Sequence, residues 1–196
     1  MSGWVRIACL TAWLGCVPAA AGAEWQIKPF GGITFGGGTT FALANNGASP
    51  DLTLGGDLLL LGEVLGLEAD FAHTPGFFEN DQGLILSSYA TSLTGNVVIA
   101  MPRRMTQYTL RPYLVAGLGF MHVDLDDYFE ALSVARNLTA FDVGGGATGF
   151  LNETVGLNFE LRYFRTIWPP PEVTGLSVGP EQVSFWRATM GLTIRP

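Results

Sequence analysis

The chain has 196 residues, with 17 acidic against 10 basic side chains and a formal net charge of −7. Only 14% of its residues are charged while 26 are glycine, against roughly 25% charged in ordinary soluble domains. The acidic balance excludes a nucleic-acid partner, since no basic patch is available to neutralise phosphates, and so little charge suits poorly a surface that meets water on every side.

At the N-terminus Arg6 precedes an apolar run over residues 7–17, then Pro18 and small residues up to Ala23. Ala21-Gly22-Ala23 fits the small-x-small rule for signal peptidase, which predicts a cleavable signal peptide over 1–23 and one domain over 24–196. The run is too short to cross a bilayer as a mature helix. Lipid attachment at Cys16 is the lesser reading, because Trp13-Leu14-Gly15 lacks the leucine that opens a lipobox. Both cysteines, Cys9 and Cys16, fall in this leader. The remainder has no thiol, which excludes disulfide scaffolds, thiolate metal sites and cysteine nucleophiles.

Beyond the leader the recurring pattern is alternation with period two, the mark of strands with unlike faces. Trp25, Ile27, Ile33 and Phe35 share one face against Gln26, Lys28, Gly32 and Thr34. Leu54, Leu58 and Leu60 oppose Thr53 and Asp57; Leu67, Ala69 and Phe71 oppose Glu68 and Asp70. Leu93, Val97 and Ile99 oppose Ser92, Thr94 and Asn96. Residues 111–122 form a further strand whose faces are mixed by Tyr113, Leu114 and Val115. Phe141, Val143 and Leu151 oppose Asp142 and Thr148; then Val155, Leu157, Phe159, Leu161 and Tyr163 oppose Asn158, Glu160 and Arg162. Trp186, Ala188, Met190, Leu192 and Ile194 finally oppose Arg187, Thr189 and Thr193. Eight strands are predicted. The turns near 62–64, 102–107 and 152–154 are short, and the loops near 37–51, 75–89, 124–139 and 166–184 are long, an alternation typical of bacterial outer-membrane barrels.

An eight-stranded antiparallel up-and-down barrel can be soluble, apolar inside and charged outside, or transmembrane, with the polarity reversed. Here the polar face carries mostly Gly, Ser, Thr and Asn, which suit a narrow interior and would make a poor aqueous exterior. The transmembrane form follows. Glu68 and Asp70 then point into the lumen, where buried charges need partners. Lys28, Asp57, Glu160, Arg162 and Arg187 share that inward parity. Strand three faces strand seven across an eight-stranded meander, so Arg162 is the expected partner of Glu68 or Asp70. Trp25, Tyr113, Tyr163, Trp168 and Trp186, with Phe77 and Phe78, lie toward strand ends and are expected at the membrane interfaces.

Other chemistry is thin. Asp124, Asp126 and Asp127, in the stretch DLDDYFE, are a weak calcium candidate, because the spacing lacks the glycine and terminal glutamate of an EF-hand. Solvated acids bridged to lipopolysaccharide by divalent ions are the preferred reading, so no metal and no cofactor is expected. Gly144-Gly145-Gly146 is followed by neither Lys-Ser/Thr nor a helix and is no phosphate loop; a close approach inside the lumen explains it better. A lipid A-modifying enzyme needs a nucleophile and base near the outer leaflet, and only His73, His122, Ser87 and Ser88 are near the loop ends, without the required arrangement.

The stretches WQIKPFGGITFGG, LGLEADFAHTPGFF, LRPYLVAGLGFM, FDVGGGATGFLNETVGLNFELRYFR and FWRATMGLTI, in that order, resemble the outer-membrane β-barrel domain family, related to the small OmpA/OmpX-type barrels. The resemblance covers nearly the whole chain after the leader. It implies an eight-stranded barrel inserted by the outer-membrane assembly machinery, with no activity shared across the family. One departure is the ending Ile194-Arg195-Pro196, where such chains usually carry an aromatic. The expected protein is a monomeric, non-enzymatic resident of the bacterial outer membrane, with ion pairs filling its lumen and four loops at the surface. A small porin-like channel is the alternative, and a soluble ligand-binding barrel ranks below it.

Overall fold

In the computed structural model, residues 23–39, 50–76, 85–106, 110–127, 134–168 and 183–196 are described. The expected signal peptide, Phe77 and Phe78 lie outside these residues. The strands are β1 (Glu24–Thr39), β2 (Asp51–Leu61), β3 (Leu65–Pro75), β4 (Ile85–Ala100), β5 (Leu110–Asp127), β6 (Val134–Phe150), β7 (Val155–Trp168) and β8 (Val183–Ile194). Each pairs antiparallel with its neighbours in sequence, and β1 pairs with β8, so the sheet closes into an eight-stranded up-and-down barrel. Closure removes the two sheet edges, the only β-solution in which every backbone polar group is satisfied within hydrocarbon.

Period two decides which face each side chain takes. Along β3, Gly66, Glu68, Asp70, Ala72 and Thr74 are buried in the lumen, while Leu65, Leu67, Ala69, Phe71 and His73 stand outside. The outer face of the barrel is apolar on every strand: Ile27, Leu58, Leu67, Leu93, Leu118, Val143, Phe159 and Met190 are all exposed there. An aqueous protein hides such side chains, whereas a lipid-facing one presents them. No helix of the described residues is long and apolar enough to cross a membrane; the crossing is made by strands.

Two expectations need correction. First, the lumen is not polar throughout. Ala90, Met121, Val123, Leu138, Ala140, Phe164, Val183 and Phe185 form one buried apolar cluster, drawn from strand segments near the long loops. Leu59, Leu61, Val98, Ala100, Tyr113 and Val115 form another near the short turns. Apart from Arg111 at the short-turn end, the buried charged residues lie in a layer between them. A narrow barrel leaves no space for water around every inward position, so apolar side chains fill the ends. Second, the strands run further than polarity suggests. β5 has 18 residues and β6 has 17, beyond the ~9–11 that cross hydrocarbon, and they pair from Leu125–Val134 downward. Asp124, Asp126 and Asp127, expected in a loop, therefore belong to the backbone of β5; their side chains lie outside the described residues. Backbone pairing continues past the membrane, where side-chain polarity no longer reports it.

Candidate functional site

Register builds the charged layer. Lys28 on β1 stands opposite Asp57 on β2, and Asp57 opposite Asp70 on β3. On the other side of the barrel Arg162 on β7 stands opposite Arg187 on β8. Like charges directly opposite on neighbouring strands repel. The acids of β2 and β3 and the bases of β7 and β8 relieve that repulsion by meeting across the barrel axis.

Arg162 is the hub and is fully buried. Its Nη2 donates to Glu68 Oε1 at 2.5 Å and to Glu160 Oε2 at 2.9 Å, and its Nε donates to Glu160 Oε1. Its Nη1 lies 3.3 Å from Asp142 Oδ2 and 3.7 Å from Asp70 Oδ2. Lys28 Nζ approaches Glu68 Oε2 at 3.3 Å and sits 4.7 Å above the centre of the Tyr113 ring. Arg187 Nη2 donates to Asp70, and its guanidinium lies between the rings of Phe30 and Phe164, at 5.1 and 4.6 Å. The structure thus brings together Lys28, Glu68, Asp70, Glu160, Arg162 and Arg187. Asp57 is buried beside them, with its Oδ1 unpartnered among the described residues.

Three members of the layer are not among the network residues expected from the sequence. Asp142 joins from β6, and its inward parity was the available signal. Asn96, with its amide oriented to meet donor and acceptor, accepts from Arg162 Nη1 at 2.7 Å and donates to Asp142 Oδ1 at 2.9 Å. Tyr113 is the third and corrects an expectation. It is not an interfacial aromatic but a lumen residue, with its hydroxyl 2.6 Å from Glu160 Oε2 and 2.9 Å from Asn158 Oδ1. One residue of parity separates it from Leu114, which does face lipid, so its place near the strand end misled.

The remaining aromatics divide. Trp25 is exposed at the short-turn end of β1. Tyr163 and Trp186 lie on the outer face of β7 and β8, with ring centres 5.1 Å apart, and Phe141 stands 6.5 Å from Tyr163. Trp168 ends β7, and its side chain lies outside the described residues. The histidines also face outward: His73 Nδ1 meets Thr91 Oγ1 at 2.9 Å, and His122 Nδ1 meets Asn137 Oδ1 at 2.8 Å.

Among the described residues the acids Asp57, Glu68 and Glu160 bring oxygens within 4.8 Å of one another. Lys28 and Arg162 already stand against Glu68, and Arg162 against Glu160. Two of these three acids thus have a cationic side chain as partner.

Geometry of this kind, greasy outside and ionised within, is decided in family terms by one comparison: residues 7–179 match the outer membrane protein beta-barrel domain. The chain belongs to that family. It is an outer-membrane β-barrel protein. Its fold is similar to that of Neisserial surface protein A, at 13% identity and TM-score 0.66, covering 89% of this chain and 99% of that one. It is also similar to Ail of Yersinia pestis, at 15% identity and TM-score 0.53 over 88% and 99% of the two chains. The N-terminal barrel of Pseudomonas aeruginosa OprF matches at 16% identity and TM-score 0.51 over 88% and 97%. No curated protein matches the chain in sequence. At such identities the likeness concerns the fold alone.

Proposed function

We propose that this outer-membrane barrel is a non-enzymatic, closed envelope protein: its lumen is plugged by the ion-pair layer, and its four loop regions work at the cell surface in envelope integrity or surface interaction. The observation that carries this reading is Arg162, buried and in contact with carboxylates from β3, β6 and β7 at once. One guanidinium thereby bridges opposite walls, and apolar clusters lie above and below it. Partners follow from the same reading: the bilayer and lipopolysaccharide around the barrel, the assembly machinery during insertion, and no second copy. Export uses the cleavable leader over residues 1–23.

Planar-bilayer recording tests the plug. The purified barrel should pass negligible current, and Arg162→Ala should raise it by opening the layer. A second reading, a small channel, draws on the charge count of the central layer: five acids (Asp57, Glu68, Asp70, Asp142, Glu160) face three bases (Lys28, Arg162, Arg187), with Arg111 a fourth buried base at the short-turn end. Such an excess makes any open path cation-selective. Steady cation-selective current through the unaltered protein would replace the plug with the channel.

A further inference from the structure

At the short-turn end of the barrel, three arginines converge on a pocket of about 310 Å³. Arg103 comes from the β4–β5 turn, Arg111 from the second position of β5, and Arg195 from the residue after β8. Phe150 and Asn152 form part of the wall, and Glu153 is the one acid lining it among the described residues. Arg111 is 6% exposed and turned inward. Its Nε donates to Met101 O at 3.0 Å, and its Nη2 donates to Gly62 O and Glu63 O at 3.2 and 2.6 Å. These bonds tie the β2–β3 turn to the β4–β5 turn and hold the guanidinium in place. Its Nη1 is buried and has no partner among the described residues.

Arg195 is also held, with its guanidinium 4.0 Å from the centre of the Phe150 ring and its Nε 2.5 Å from Glu24 Oε2. Glu24 pairs with Arg103 as well. Among the described lining residues three arginines face one acid, Glu153, so the lining keeps a positive excess, with Glu24 beside it shared by Arg103 and Arg195 and Glu63 acting on Arg111. An unpartnered buried donor is costly, and a positioned guanidinium is matched by the oxygens of a phosphate.

We propose that this pocket binds a phosphate group, with Arg111 as the fixed cation of its lining and Arg103 and Arg195 as the closing pair. Short turns mark the periplasmic end of such barrels, so the phosphate is either the headgroup of an inner-leaflet phospholipid or free in the periplasm. Phe150 beside the arginines gives a headgroup's glycerol an apolar wall.

The test is calorimetry on the protein purified from membranes in a non-ionic detergent, titrated with inorganic phosphate and with short-chain phosphatidylglycerol. Saturable one-to-one binding is expected, weakened at least ten-fold by the double variant Arg103→Ala/Arg195→Ala. Arg111 is left intact because it joins the turns. Arg104→Ala is the control: Arg104 is exposed, lies outside the pocket and pairs loosely with Glu63 at 3.7 Å, so its loss should leave binding unchanged. Binding of both ligands identifies the anion itself as the target, and binding of the lipid alone identifies a headgroup; either supports the site. Absence of saturation with both ligands overturns it, as does equal loss in Arg104→Ala, or a double variant that binds like the parent. Heat-modifiable migration on gels reports folding. If the double variant does not fold, Arg195→Gln takes its place: a three-fold or greater loss supports the site, and unchanged binding overturns it.

Discussion

Arg162 shows how a single residue is held by its surroundings. A lone guanidinium in a low-dielectric interior would be prohibitive, yet here carboxylates from three strands meet it. Removing it strands those acids beside one another. Arg162→Ala should therefore cost about 3–5 kcal/mol, the penalty for breaking a buried pair, measured as an earlier loss of the compact band on heating in detergent; an unchanged midpoint would sink the network as a source of stability. Tyr113→Phe is a finer probe, since it deletes one hydroxyl and keeps the ring under Lys28. The loss should be about 1.5–3 kcal/mol, because the bond is to a charged group. Gly144 supplies room for the hub. A Cβ there would meet Leu161 O and lie 2.8 Å from Arg162 Cα and Cγ, and backbone cannot step aside as a flexible side chain can. Gly144→Ala should lower the same thermal midpoint, whereas substitution at Gly95, where a Cβ meets nothing within 4 Å, should not.

Each strand is an element with a lipid face and a lumen face, and a one-residue slip would exchange them. That sensitivity is why parity was informative: the faces of β3, β7 and β8 were legible from alternation alone. β5 was harder, because its inward Tyr113, Val115 and Met121 are apolar, so both faces look alike in sequence. The lipid face makes its own prediction. Leu161, mid-way along β7 and exposed on the outer wall, should tolerate arginine poorly. Near the bilayer midplane the cost is about 2–4 kcal/mol, measurable as reduced folding yield into vesicles, and a cost near zero would mean that this face does not meet hydrocarbon. The ends of strands were the least legible part. β5 and β6 pair well beyond the span that lipid requires, through residues whose polarity reads as loop.

For the whole molecule, the closed sheet makes the environment part of the fold. An apolar belt around the barrel requires detergent or lipid, so the protein should fractionate with outer membranes and aggregate when surfactant is withdrawn; a monodisperse species in plain buffer would contradict the transmembrane assignment. Eight strands, their alternation and the membrane setting were all determined by the sequence, because period-two polarity is a local property that each strand carries by itself. What only the tertiary structure decided is which charges meet. Asp57 and Asp70 are neighbours on one wall, Arg162 and Arg187 on the other, and each pair alone is repulsive. Their attraction exists only once β1 joins β8 and brings the walls face to face. Closure likewise carries Tyr113 to Glu160, Arg111 to the β2–β3 turn and Arg195 to Phe150. Such contacts depend on distance across an enclosed space, a quantity that no alternation along the chain encodes.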